Sequence, residues 1–149
     1  MAGAVALTAA FLACASPSSA PIVAGPLALG NWGGDSAAMI VSDTAMHLHI
    51  GCTYGDVSGR IDIDPTGRFD VTGNYTLHAF PITVGPTVPA HFVGQVNAAK
   101  GGTATITVTV DDTVAHQTVV RGPVTVSIGE APRLMPCPIC RRPIITKGQ

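Results

Sequence analysis

The stretch Thr103-Ala104-Thr105-Ile106-Thr107-Val108-Thr109-Val110 limits the fold of this chain more than any other. Strict alternation of threonine with aliphatic residues suits a strand with one face in a core and the other in water. Other runs repeat the scheme: Met46, Leu48 and Ile50 alternate with His47 and His49, Ile61 and Ile63 with Asp62 and Asp64, and Val124, Val126 and Ile128 with polar or small residues. Turn-forming pairs fall between the runs at Gly55-Asp56, Asp64-Pro65-Thr66-Gly67, Gly73-Asn74, Lys100-Gly101-Gly102, Asp111-Asp112 and Gly122-Pro123. No stretch between them has helical periodicity.

The spacing predicts strands near 31–42, 45–52, 57–63, 68–77, 91–97, 103–110, 114–121 and 124–129. About eight short antiparallel strands fit a small up-and-down β-barrel or a β-sandwich. The barrel is preferred because closure removes the sheet edges that invite pairing between molecules. Pro81, Pro86 and Pro89 oppose ladder pairing, so 80–90 is expected to be an ordered loop across one barrel end. Strands this short enclose a narrow barrel filled by its own side chains, which places ligand contact at a mouth or on an outer face.

At 149 residues the chain holds one domain, and with 46% hydrophobic and 11% charged residues it is neither disordered nor a coiled coil. A formal net charge of −1 gives no basis for a nucleic-acid-binding surface. Charge is nevertheless uneven. Residues 22–130 hold nine acids against four bases, whereas Arg133, Arg141, Arg142 and Lys147 make the end basic.

Residues 1–20 read as an export signal: an apolar run from Val5 to Leu12, too short to span a bilayer, leads into small and turn-forming residues. Cleavage after Ser18-Ser19-Ala20 competes with lipidation of Cys14, whose Phe11-Leu12-Ala13-Cys14 context is similar to a lipobox. A linker at 21–29, a barrel domain at 30–137 and a basic tail at 138–149 complete the expected organisation. A secreted or periplasmic location follows, with membrane contact only through that lipid anchor.

Of four cysteines, Cys52 closes a strand and Cys137 follows the last one, so these two are expected to pair. Cys137-Pro138-Ile139-Cys140 lacks the following helix of a redox pair and the second ligand pair of a zinc site, which leaves Cys140 as a spare thiol. His47 and His49 project from one strand face, a spacing also found in strand-borne metal sites, although a solvent-facing pair is the simpler expectation. Asp62 and Asp64 read as surface and turn residues. Gly-x-Ser-x-Gly, Gly-Lys-Ser/Thr and His-Glu-x-x-His motifs are absent, so neither an enzyme nor a cofactor is expected.

Gly30-Asn31-Trp32 resembles the Gly-x-Trp of lipocalin-like calycins, in which the Trp packs across a closed barrel end under an Arg. The resemblance puts Arg121 or Arg133 in that covering role. More broadly, Gly30 to Gly34, Cys52, Gly67-Arg68-Phe69, Thr105 to Val110, and Arg133-Leu134 with Cys137 resemble small secreted bacterial β-proteins of unassigned activity, a likeness that also implies the Cys52–Cys137 pairing. The resulting expectation is an exported monomeric barrel that binds a small ligand or envelope component, with Trp32, His78, Phe80 and His91 nearest the ligand. Two alternatives are a structural or protein-interaction module, such as an envelope scaffold or secreted-protease inhibitor, and a metal-dependent enzyme.

Overall fold

In the computed structural model, which describes residues 24–78, 85–97 and 102–137, the alternating runs become strands that put every second side chain into one shared core. The strands are β1 Gly25–Pro26, β2 Gly30–Gly34, β3 Ala37–Val41, β4 Ala45–Ile50, β5 Thr53–Ser58, β6 Asp62–Ile63, β7 Arg68–Thr76, β8 Thr87–Asn97, β9 Thr103–Asp112 and β10 Gln117–Ile128. Eight of them close antiparallel into a barrel in the order β10-β2-β3-β4-β5-β7-β8-β9. β9 buries Ala104, Ile106, Val108 and Val110, and β8 buries Val88, Ala90, Phe92 and Val96 against them. Met39, Met46, Leu48, Phe69 and Tyr75 fill the rest of the interior.

The register defines two ends. The turns at Asp35–Ser36, Gly51–Cys52 and Thr113–His116 lie at one end with the start of β8. Gly30, the β4 start and the β9 start lie at the other. That second end is covered by β1, which pairs with β6, and by Leu27, whose N–H donates to the Ile61 carbonyl at 2.8 Å. Leu27 and Ile61 are both buried. Part of the expected 21–29 linker is therefore structured, from residue 24 onward.

Several expected boundaries move. The 31–42 run is two strands, because Ser36 enters the left-handed region at φ 58° and turns the chain between β2 and β3. The 45–52 run ends at Ile50, where Gly51 takes φ 59° and begins the next turn. Gly55-Asp56 is no turn but lies inside β5, and the 57–63 run breaks at Gly59, φ 93°, into the end of β5 and the short β6.

The 114–121 and 124–129 runs are one strand, β10, whose register shifts between Arg121 and Val124. Pro123 is tolerated because that bulge needs no ladder donor there. β8 starts at Thr87, inside the expected loop, and Pro89 lies just beyond the β8–β9 ladder, which begins at Ala90. The export signal with Cys14, Phe80, Cys140 and the 138–149 tail lie outside the described residues.

After β10 the chain runs as a strap along the outside of β2. Arg133 N–H donates to the Gly34 carbonyl and Ser36 N–H to the Arg133 carbonyl, both at 3.0 Å. The Arg133 guanidinium meets the Asp35 carboxylate at 2.5 Å. Cys52 and Cys137 form the expected disulfide, with Cα atoms 5.5 Å apart, and tie the strap to the β4–β5 turn.

Candidate functional site

Of the residues expected near a ligand, the three that are described, Trp32, His78 and His91, do not share a site. Trp32 is buried in the barrel at 2% exposure, and its indole N–H donates to the Ala28 carbonyl at 3.1 Å, towards the end covered by β1. His78 is at the opposite end, beside a small pocket of about 130 Å³ with Leu77, Pro86, Asp112 and Val114. His91 faces outward from β8 and pairs with Asp70 of β7. Alternation along β8 separates His91 from the interior, since Ala90 and Phe92 occupy that face.

The interior has its own chemistry but little room. Thr53 donates its hydroxyl to the Ile50 carbonyl at 2.7 Å, so the Tyr75 hydroxyl donates to Thr53, also at 2.7 Å. Burial pushes the Tyr75 phenol up, opposed by the nearby Arg121. The two arginines that the calycin resemblance put over the Trp are thus placed near Tyr75 and on Asp35. Among the described residues no buried side-chain polar atom lacks a partner.

A sizeable concavity lies mainly outside the barrel wall. A groove of about 680 Å³ runs between the strap and the β2–β3 hairpin, lined by Leu29, Asn31, Trp32, Ile40, Glu130 and Pro132 among others, so Trp32 is the expected ligand residue found at its wall. Leu29 and Ile40 are 53% and 52% exposed, far more than most aliphatic side chains here. Gly33 explains how the strap lies so close: a Cβ there would come within 2.4 Å of the Glu130 carbonyl oxygen. Asn31 and Glu130 supply the groove's polar side chains. A shallower site of about 320 Å³ on the β7–β10 wall includes Pro89, His91 and Thr118.

Next to the groove, the outer wall carries a compact polar cluster. Ile40 pairs with His47, which pairs with Asp56; Ala38 pairs with His49, which pairs with Tyr54. His47 Nδ1 lies 2.6 Å from an Asp56 carboxylate oxygen, and the His47 and His49 rings are 4.7 Å apart, edge to face. Tyr54 sits 5.6 Å from each ring. Burial, then the neighbouring His47, lower the His49 pKa, while Asp56 raises it in opposition.

Asp56 and Tyr54 are absent from the expected site because Gly55-Asp56 reads as a turn. The available signal is the phase of the apolar residues, which flips from Met46, Leu48 and Ile50 to Val57 across Gly51–Cys52 and so places Asp56 opposite His47. Asp64 is a turn residue, as expected: one carboxylate oxygen accepts the Thr66 N–H at 2.8 Å, the Thr66 hydroxyl at 2.6 Å and the Arg68 N–H at 3.0 Å. Those bonds, the Thr66 hydroxyl first, hold its pKa low. Asp62 pairs with Arg60 at 2.9 Å.

No protein-family model, curated protein or solved structure matches this chain.

Proposed function

We propose that this is an exported, non-enzymatic binding protein that carries a small, largely apolar ligand outside its barrel, in the groove between the strap and the β2–β3 hairpin. One observation supports the reading above the rest. The interior is filled by the chain's own side chains, while the groove outside holds about 680 Å³ and leaves Leu29 and Ile40 in water. That volume is typical of small-molecule sites, roughly 300–1,000 Å³. Asn31 and Glu130 give the ligand hydrogen-bonding partners at the groove wall. The Cys52–Cys137 disulfide is compatible with export to an oxidising compartment.

Native mass spectrometry of the protein taken from its host's envelope fraction tests this reading. The expected result is a reproducible adduct that is lost on denaturation and absent from an Ile40→Asp variant. An adduct-free protein would overturn it. The second reading, an interaction module of the scaffold or inhibitor kind, draws on Val120 and Met135, which are 56% and 71% exposed. In that case a protein partner co-purifies in place of the adduct.

A further inference from the structure

The outer-wall cluster on β4 and β5 has features that neither packing nor the proposed groove requires. We propose that His47 and His49 together bind one late first-row divalent metal ion, with Cu²⁺ held most tightly and Asp56 orienting the His47 ring. This proposal does not depend on the groove reading.

Three features carry it. The first is strand geometry: residues two apart project from the same face, and both rings lie on the outer side because Met46 and Leu48 take the inner one. Neither ring is needed to fill the core. The second is the ring separation. A metal about 2.0 Å from each imidazole nitrogen, at an angle between square and tetrahedral, requires ring centres roughly 4.5–5 Å apart. His47 and His49 are 4.7 Å apart.

The third feature is Asp56. Its carboxylate, 2.6 Å from His47 Nδ1, accepts the Nδ1–H and leaves the Nε2 lone pair available. A carboxylate behind a histidine in this way both orients a metal-binding ring and makes it more basic. Tyr54, 5.6 Å from each ring, walls one side of the pair.

Two imidazoles leave the remaining coordination positions to water or an incoming ligand. Among the described residues no three of His, Cys, Asp or Glu are placed to hold one metal ion together, so a closed structural centre is not implied. Imidazole donors favour the late metals, and Cu²⁺ stands highest in the divalent series.

The test is titration of the full chain with Cu²⁺ alone, at slightly alkaline pH, with the histidine ring resonances followed by NMR. Below one equivalent, the His47 and His49 signals should broaden first, ahead of those of His78, His91 and His116. The His47→Gln/His49→Gln double variant should lose at least tenfold in affinity, and Asp56→Asn about tenfold or more. His91→Gln should bind as the parent does. Broadening centred on any other residue would overturn the proposal, as would unchanged affinity in a double variant whose circular dichroism matches the parent.

Discussion

Gly94 and Phe69 face each other across the β7–β8 ladder, and a Cβ on Gly94 would lie 2.1 Å from the Phe69 ring. Gly55 has the same relation to Tyr75, at 2.4 Å. In both pairs a large ring lies over a strand glycine, a device that fills a narrow interior and shields the glycine backbone. Gly94→Ala should therefore cost about 1–3 kcal/mol through overpacking. In urea unfolding of the double-mutant cycle, Phe69→Leu should recover at least about 0.5 kcal/mol of that cost. Strict additivity would mean that the ring has room to move. Gly34 is a harder case: its Cβ would lie 2.0 Å from the Thr125 carbonyl oxygen, which is backbone and cannot rotate away. Gly34→Ala should accordingly be more damaging than Gly94→Ala. Trp32→Ala should cost about 3–5 kcal/mol, as expected for a large buried aromatic side chain. A change below about 0.5 kcal/mol would contradict its burial.

The apolar phase along the chain explains which elements are readable from sequence. Alternation alone identifies β9 and β4, and the inner face of each matches the observed core. The inner set shifts between even and odd positions at several points, among them from Trp32 to Ala37 and Met39, from Leu48 to Val57, and from Val119 to Val124 and Val126. The first two shifts are tight turns, and the third is a bulge within one strand. A phase shift is equally compatible with either. Taking 31–42 as one strand and 114–129 as two gives the expected eight only because those errors cancel. The polar cluster is half readable, since spacing pairs His47 with His49 but only the hairpin register brings in Asp56. The strap is harder to see, because its bonds to Gly34 and Ser36 join residues almost a hundred positions apart. Its covalent tie is easier to test. Closing 85 residues through Cys52–Cys137 should contribute up to about 4–5 kcal/mol in the chain-entropy model. Adding reductant should lower the urea midpoint. No shift on verified reduction would show that the strap's hydrogen bonds suffice without it.

Over the whole molecule, four carboxylates share one role. Asp35 is held low by Arg133, Asp64 by Thr66 and then Arg68, Asp70 by the Arg68 hydrogen bond and then His91, and Asp112 by the backbone N–H groups of Ala115 and Val114 and by Gln117. Each fastens a turn, the strap or neighbouring strands, so ionisation of these groups is linked to the closed form of the barrel. A carboxyl whose folded pKa lies below its unfolded value contributes its full stability above the unfolded value, about 3.9 for Asp. That contribution is lost as pH falls through the lower folded value. Stability from these four groups should be flat from neutral pH down to about 5 and should then decline towards pH 2. Asp112→Asn separates one contributor. Its side-chain oxygen can still accept the Val114 and Ala115 N–H groups, at 3.2 and 3.0 Å in the parent, but without charge. The variant should be less stable than the parent at pH 7, and the gap should close as pH falls below the unfolded Asp value, about 3.9, and through the lower folded value of the parent's Asp112. Urea unfolding of both proteins at pH 7, 4 and 2.5 measures this convergence. A gap that persists undiminished at pH 2.5 would mean that the introduced amide disturbs the Thr113–His116 turn by its shape, and that charge at this position does not stabilise the barrel.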